Sequence, residues 1–270
     1  RDRPDAGWRK VCRLPQPLAY GVSATHNGSL ICVGGSDATR HYADAFRLEL
    51  VNGQMVTTPL PPLPRPVANG CGALVGDVLY VAGGQEAPDS RAALKSCFAL
   101  DLASPSPAWR EVASWPGPPR ILATAAAFDG SFWLIGGAEL LAGDDGPVTR
   151  RYLQDAYRYT PEQGWQRVAD LPVPSVAASS PAPAAASGPM LLGGDDGSQL
   201  DATPETHRGF PRQAWTYDSA SDQWRQSGEI PAPHVTAPLV RRGDGWVLVS
   251  GELRPGIRSP AVWSLQPGSD

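Results

Sequence analysis

The sequence predicts an all-β fold in which a four-stranded unit is repeated five times, and three observations support this prediction. The 270-residue chain contains 29 Gly and 29 Pro, and both residue types disfavour helix interiors. Hydrophobic residues make up 41% of the chain and charged residues 19%, which suits a folded core rather than a disordered chain. Two short motifs alternate along the sequence, which is typical of repeat architectures.

The first motif is a turn in which two prolines are separated by one residue. It occurs at residues 14–17, 63–66, 115–118, 171–174 and 230–233. The second motif is a β-rich run that ends in two small residues, at 30–35, 79–84, 132–137, 190–194 and 246–251. In its last copy Ser250 replaces the first glycine. Small residues allow the chain to turn sharply where a side chain would clash.

Aromatic residues mark the end of the repeats. Tyr217 and Trp224, like Tyr159 and Trp165, fall on consecutive strand-like segments, and Trp109 opens a segment in the same phase. We expect most of these rings to pack between neighbouring repeats. A four-stranded repeat of about 50 residues, with two glycines after its second strand, is typical of a kelch-type β-propeller blade.

The repeats predict a single kelch-type propeller domain over residues 1–270. Five blade-like repeats are expected at residues 15–62, 63–114, 115–170, 171–229 and 230–270. The last repeat stops after the strand-like segment 261–265, and residues 7–14 have the pattern of a fourth strand that could pair with it. Such pairing would close a five-bladed ring and remove exposed sheet edges. The alternative, which the non-Met start favours, is a larger propeller from which one blade has been cut.

Charge and composition exclude several classes of function. The formal net charge is −4 and no basic run is present, so nucleic acid is not an expected partner. No segment has the roughly 20 apolar residues of a membrane helix. The four cysteines form no C-x-x-C pair and the four histidines no H-x-x-x-H pair, so we expect neither a metal site nor a cofactor. The sequence does not indicate an oligomeric state.

Two sets of loops are expected around the mouth of the central channel: those after the glycine pairs and those with the Pro-x-Pro turns. Functional residues concentrate on such loops. Their polar side chains combine both charges with hydrogen-bonding groups, which suits a small polar anion. These side chains are Tyr20, Asp37, Arg40, His41, Asn69, Gln85, Glu86, Arg120, Glu139, Asp195, Asp196, His234, Glu252, Arg254 and Arg258.

One of these loops, Gly251 to Arg258, has an unusual sequence. Its Pro-Gly pair predicts a turn that folds Arg258 back toward Glu252. A carboxylate beside guanidinium groups stays ionised and positioned. It can then act as a general base while an arginine binds a substrate carboxylate. The alternative is a structural Glu–Arg pair that orders the loop.

These motifs resemble those of the N-acetylneuraminate epimerases, or sialic acid mutarotases, and more closely their cyclically permuted relatives. The resemblance is carried by residues 19–23, 115–120, 246–258 and 261–263, and it extends over essentially the whole chain. The Gly-Glu-x-Arg-Pro-Gly-x-Arg stretch at 251–258 is its most specific part. Members of that family are six-bladed, and the first blade here resembles the last blade of the unpermuted enzymes.

The resemblance implies roles for several residues. It implies that Glu252 is the proton acceptor. It also implies that Arg258, which accompanies Glu252, and Arg120 both bind the carboxylate of an acidic sugar. Tyr20 lies in a Tyr-Gly-Val-Ser stretch that the family shares. Four further residues are assigned to substrate binding by their expected place at the mouth alone: Arg40, His41, Asn69 and Arg254.

The implied reaction opens a hemiketal sugar ring and closes it on the other face, without a cofactor. A base removes the proton of the anomeric hydroxyl while an acid, which could be Tyr20, His41 or water, protonates the ring oxygen. The exact sugar and its preferred anomer are not indicated. The family's link to extracellular sialic acid predicts a periplasmic or secreted location, although no signal peptide is visible.

Two other functions compete with this one. A copper radical oxidase would need a Tyr–Cys pair and two histidines on the metal, but no two of the histidines share a loop. A non-catalytic kelch propeller that binds a glycan or a protein would not need Glu252. The motif at 251–258 favours the enzyme over this binding module, which remains the alternative function.

Overall fold

The computed structural model describes residues 7–8, 10–14, 16–143 and 146–266, which form a five-bladed β-propeller of small antiparallel sheets. The predicted all-β propeller is therefore confirmed. None of the described residues form a helix with the length and hydropathy of a transmembrane span.

The first three blades have four strands each. Blade 1 contains β1 (Val22–His26), β2 (Ser29–Val33), β3 (Ala45–Val51) and β4 (Gln54–Leu60). Blade 2 contains β5 (Cys71–Val75), β6 (Val78–Ala82), β7 (Cys97–Asp101) and β8 (Trp109–Val112). Blade 3 contains β9 (Thr124–Phe128), β10 (Ser131–Ile135), β13 (Ala156–Thr160) and β14 (Gly164–Val168), with the hairpin β11 (Ala138–Ala142) and β12 (Val148–Tyr152) between β10 and β13.

The last two blades have three strands each. Blade 4 contains β15 (Met190–Leu192), β16 (Gln213–Asp218) and β17 (Gln223–Glu229). Blade 5 contains β18 (Leu239–Arg242), β19 (Gly245–Val249) and β22 (Val262–Leu265), with the hairpin β20 (Glu252–Arg254) and β21 (Ile257–Arg258) between β19 and β22.

The expectation of a four-stranded blade is wrong for blade 4, whereas the last repeat lacks its fourth strand as the sequence indicated. In blade 4, the segment before β15 contains Pro181 and Pro183, which cannot donate hydrogen bonds to a strand ladder. Only isolated bridges form there, such as Ala126 with Ala182.

Residues 7–14 were one possible source of a fourth strand for blade 5. The described part of that segment, 7–8 and 10–14, lies in no strand. Val11 is 44% exposed and Leu14 38% exposed, so the segment buries little apolar surface that would hold it against a sheet.

An inner ring of five residues, one per blade, links the blades around the channel: Tyr20, Asn69, Leu122, Ala177 and Thr236. All five have positive φ, between 51° and 58°. Each of the last four donates its backbone N–H to the carbonyl of the ring residue before it, over 2.7–3.0 Å. These backbone bonds hold the non-glycine residues in a conformation that is otherwise unfavourable.

The glycine pairs are required by contacts between blades. The second glycine donates its N–H to the next blade's linker, as Gly35 does to the Val67 carbonyl at 2.7 Å. A Cβ on the first glycine would meet that same carbonyl, at 2.3 Å for Gly34. Ser250 keeps a positive φ of 59°, and its hydroxyl donates to the Ser259 carbonyl at 2.8 Å.

The hydrophobic core consists mainly of clusters between adjacent blades. Separate clusters join blades 1 and 2, 2 and 3, 3 and 4, and 4 and 5. Trp109, Trp165 and Trp224 each donate their indole N–H to a carbonyl in the linker that precedes their own blade. This confirms that the predicted aromatic markers pack between repeats. Within the described ranges, no hydrophobic cluster joins blade 5 to blade 1.

Candidate functional site

The mouth of the channel is built from one repeated backbone arrangement. The residue after each pair of small residues exchanges two backbone hydrogen bonds with the residue that precedes the inner ring. The five bonded pairs are Ser36 with Ala19, Gln85 with Ala68, Ala138 with Ile121, Asp195 with Val176, and Glu252 with Val235. Two carboxylates, Asp195 and Glu252, therefore occupy equivalent positions on neighbouring blades.

Two cavities meet at the inner ring. One, of about 470 Å³, lies beside blades 3, 4 and 5 and is lined by Asp195, Glu252 and the ring residues. The other, of about 500 Å³, extends between blades 1 and 5 and is lined by the same ring residues and Arg258. Cavities of this size accommodate small-molecule ligands.

The Glu252–Arg258 hairpin forms as predicted. Glu252 pairs with Arg258 across β20 and β21, and Gly256 in the turn has a φ of 76°, which suits glycine. The Gly256 N–H donates to Glu252 Oε1 at 2.7 Å. Arg258 Nη2 lies 3.8 Å from Glu252 Oε2 and 3.5 Å from the Tyr20 hydroxyl oxygen. The structure thus brings together Tyr20, Glu252 and Arg258, although they come from opposite ends of the chain.

The carboxylate of Glu252 is fixed on one side and accessible on the other. Its side chain is 20% exposed and that of Arg258 is 58% exposed. Oε1 is held by the turn backbone, whereas Oε2 faces the more distant guanidinium. A carboxylate that is oriented in this way can accept a proton from a bound hydroxyl group.

Arg120 does not lie at the mouth, contrary to the prediction. Its side chain is 0% exposed and forms a bidentate pair with Asp155, with N–O distances of 2.9 and 2.7 Å. It also donates to the Gly136 carbonyl at 2.8 Å and lies over the rings of Trp115 and Tyr157. The Pro-Arg turn points this side chain into the interface of blades 2 and 3, where it cannot reach a substrate.

The other predicted residues divide between the cavity walls and their surroundings. Asn69 lines both cavities and donates to Gln85 Oε1 at 3.2 Å. His41 is bonded through Nδ1 to the Gln85 carbonyl at 3.1 Å. The guanidinium of Arg40 stacks 4.8 Å from the centre of the Tyr42 ring. Among the described residues that line the two cavities, Arg40, His41 and Arg254 are not found.

Sequence reasoning did not select the blade 3 and 4 side of the mouth as a site. The Tyr152 hydroxyl donates to Asp195 Oδ2 at 2.7 Å, and the Gly197 N–H donates to Oδ1 at 3.0 Å. Burial, followed by the bond to Asp195, raises the pKa of Tyr152. Arg150 and His207 line the same cavity. Asp195 carries a recognisable signal, since it follows a glycine pair as Glu252 follows Gly251; Tyr152 carries none.

No group of three or more His, Cys, Asp or Glu side chains is placed to hold a metal ion in the part of the chain that the structure describes. Cys12, Cys32, Cys71 and Cys97 are free thiols. Burial raises the pKa of the Cys71 thiol to about 12 and that of Cys32 to about 11, so both are protonated at neutral pH.

Comparison with known families decides the relationship. A family model described as N-acetylneuraminate epimerase matches residues 60–203, just over half of the chain. The chain belongs to the N-acetylneuraminate epimerase family. That match ends before Glu252, so the family model does not test the blade 5 hairpin.

Individual members of the N-acetylneuraminate epimerase family give the same picture. The epimerase of Yersinia enterocolitica serotype O:8 / biotype 1B is 29% identical over 230 residues, covering 75% of this chain and 56% of the relative. That of Haemophilus influenzae strain 86-028NP is 30% identical over 228 residues, covering 74% and 57%. The chain spans little more than half the length of these curated epimerases. A solved structure described as "Structure of YjhT" shares the fold, with a TM-score of 0.60 at 22% identity over 75% of this chain and 64% of that one.

Proposed function

We propose that this chain catalyses the interconversion of the anomers of N-acetylneuraminate or a similar acidic sugar. The observation that carries the proposal is the Glu252–Arg258 hairpin at the channel mouth. It places a backbone-anchored carboxylate, Glu252, on the cavity of about 470 Å³ and an accessible guanidinium, Arg258, on the adjoining cavity of about 500 Å³, and the two cavities meet at the inner ring. Membership of the N-acetylneuraminate epimerase family supports the choice of substrate.

Glu252 is the base in the proposed mechanism. Its Oε2 accepts the proton of the anomeric hydroxyl, whose oxygen becomes a carbonyl as the bond between the anomeric carbon and the ring oxygen breaks. The ring oxygen takes up a proton from an acid. Rotation about the bond between the new carbonyl carbon and the neighbouring chain carbon presents the other face of the carbonyl to the hydroxyl group. The reverse proton transfers then close the ring to give the other anomer.

The acid in this mechanism is Tyr20 or a water molecule. The Tyr20 hydroxyl lies next to Arg258 and lines both cavities. His41, the third candidate from the sequence, is bonded to the Gln85 carbonyl on the blade 1 side and lines neither cavity. The geometry therefore favours Tyr20 over His41.

Arg258 binds the substrate carboxylate in this proposal. A guanidinium has five N–H donors, more than the contacts with Glu252 and Tyr20 use, and two parallel N–H groups at its edge match a carboxylate in a bidentate geometry. Because Arg258 is adjacent to Glu252, the carboxylate on the anomeric carbon would bring the anomeric hydroxyl toward Oε2. No cofactor is required for these steps.

The direct test is anomer exchange of N-acetylneuraminate, followed by NMR. We expect the wild-type chain to accelerate exchange and Glu252→Gln to lose at least about a hundredfold of that rate, since a positioned base contributes roughly 10²–10⁴. Glu162→Gln, in the exposed turn between β13 and β14, is the matched control and should keep the full rate. An accelerated rate that survives in Glu252→Gln would contradict the assignment. No acceleration by the wild-type chain would favour a binding propeller.

A further inference from the structure

The mouth contains a second anchored carboxylate that the proposed chemistry does not use. Asp195 occupies in blade 4 the position that Glu252 occupies in blade 5, with the same reciprocal backbone bonds to the neighbouring linker. Both side chains line the cavity of about 470 Å³. Glu252 is held by its own hairpin, whereas Asp195 is held from another blade.

The side chain that holds Asp195 comes from the extra hairpin of blade 3. Tyr152, at the end of β12, donates its hydroxyl proton to Asp195 Oδ2 at 2.7 Å. The backbone of Gly197 donates to the other oxygen at 3.0 Å. These bonds fix the orientation of the carboxylate while each oxygen retains acceptor capacity, since a carboxylate has about four acceptor sites.

The two ends of the mouth present different groups to a ligand. Arg258 attracts a carboxylate, whereas the Asp195 carboxylate accepts hydrogen bonds from hydroxyl groups. Arg150 lines the same cavity as Asp195. An acidic sugar with a hydroxyl-rich side chain can therefore place its two ends against different partners. Its carboxylate would lie toward Arg258 and its hydroxyl groups toward blade 4.

We propose that Asp195 is a specificity-determining residue that binds the polyhydroxylated side chain of the acidic sugar, and that Tyr152 is the positioning residue that holds it. This proposal rests on the proposed function for the identity of the sugar. The proposal gives the β11–β12 hairpin of blade 3 a role in the site, because Tyr152 at the end of β12 contacts Asp195 of blade 4.

The test compares equilibrium binding of two sugars by calorimetric titration of the full chain. One sugar is N-acetylneuraminate, and the other is an analogue whose glycerol side chain is shortened so that its hydroxyl groups are removed. We expect Asp195→Asn to weaken binding of the complete sugar about tenfold or more, as for loss of a hydrogen bond to a charged group. Binding of the shortened analogue should change less than about twofold, because it makes no such bond.

Tyr152→Phe separates positioning from direct contact. Introduced into the wild-type chain, Tyr152→Phe should reduce the preference for the complete sugar. Introduced into Asp195→Asn, it should have no further effect, because Tyr152 acts through the Asp195 carboxylate. The matched control is Tyr217→Phe, which removes the same kind of bond, from the Tyr217 hydroxyl to Asp222 at 2.7 Å, within blade 4 and away from the cavities. Tyr217→Phe should leave the preference unchanged.

The outcomes distinguish this proposal from the proposed function. Equal weakening of both sugars in Asp195→Asn, or no weakening of either, would overturn the role of Asp195 even if exchange is catalysed. Wild-type binding with the expected preference but without anomer exchange would refute the enzyme and support this binding role. Failure of the wild-type chain to bind N-acetylneuraminate would overturn both.

Discussion

Two arginine–carboxylate pairs in this propeller have similar chemistry and different surroundings. Arg120 and Asp155 are bonded at 2.7 and 2.9 Å with side-chain exposures of 0% and 12%. Arg258 and Glu252 lie 3.8 Å apart with exposures of 58% and 20%. The first pair lies in loops enclosed between blades 2 and 3, and the second lies at the mouth, where Glu252 lines one cavity and Arg258 the other.

The difference shows which arginine can serve a substrate. The guanidinium of Arg120 is occupied by Asp155 and two backbone carbonyls and is enclosed by the rings of Trp115 and Tyr157. If Arg120 moved away, the largely enclosed Asp155 carboxylate would lose its charged partner and keep the Tyr157 hydroxyl. The guanidinium of Arg258 is largely solvated and loosely held, so a ligand can replace water there at little cost.

The largest expected effect separates the two arginines by stability. Arg120→Met should lower the free energy of unfolding by about 3–5 kcal/mol, because it removes the guanidinium partner from the largely enclosed Asp155 carboxylate, which keeps the Tyr157 hydroxyl, and from the Gly136 carbonyl. Arg258→Met, the matched change, should cost at most about 1 kcal/mol, as for an exposed pair. Urea unfolding of both variants gives the comparison. Similar losses in the two variants would show that the pairs are not energetically distinct.

A smaller effect tests whether the backbone at Arg120 is as closely packed as its side chain. Gly83 has a φ of 64°, and a Cβ there would lie 2.5 Å from the Arg120 carbonyl oxygen. Gly28 has a φ of 77° with no atom within 4 Å of such a Cβ. Both Gly→Ala changes incur backbone strain of about 1–2 kcal/mol.

Gly83→Ala should therefore destabilise the fold by about 1–3 kcal/mol more than Gly28→Ala, because only Gly83 meets a steric clash. Thermal or urea unfolding of the two variants measures the difference. Equal destabilisation of Gly83→Ala and Gly28→Ala would show that the interface between blades 2 and 3 accommodates an added methyl group without a steric penalty.

The sequence was most informative where interactions are local or repeated. The Pro-x-Pro turns and glycine pairs predicted five blades, since each blade needs a close approach at the same point. The Glu252–Arg258 hairpin was predictable because its turn lies within seven residues of chain. The first strand of blade 4 was predicted wrongly, because the repeat pattern outweighed the two prolines that prevent a ladder there.

Non-local interactions were not predictable from the sequence. Arg120 was placed at the mouth by its motif, but its partner Asp155 is 35 residues away in the chain and draws it into the interior. Tyr152 and Asp195 are 43 residues apart on different blades, so no short pattern connects them. Their pairing depends on how blades 3 and 4 pack.

The central claim is that the exposed arginine of blade 5 recognises the substrate carboxylate beside the base. The most direct measurement is the rate of anomer exchange by NMR for N-acetylneuraminate and for its methyl ester, in the wild-type chain and in Arg258→Ala. Arg150→Ala serves as the matched control, because Arg150 also lines the mouth.

We expect the wild-type chain to prefer the free acid by about tenfold or more, in line with one charge-assisted bidentate contact. In Arg258→Ala this preference should disappear, and in Arg150→Ala it should remain. A preference that persists without Arg258, or that disappears without Arg150 instead, would contradict the assignment of Arg258.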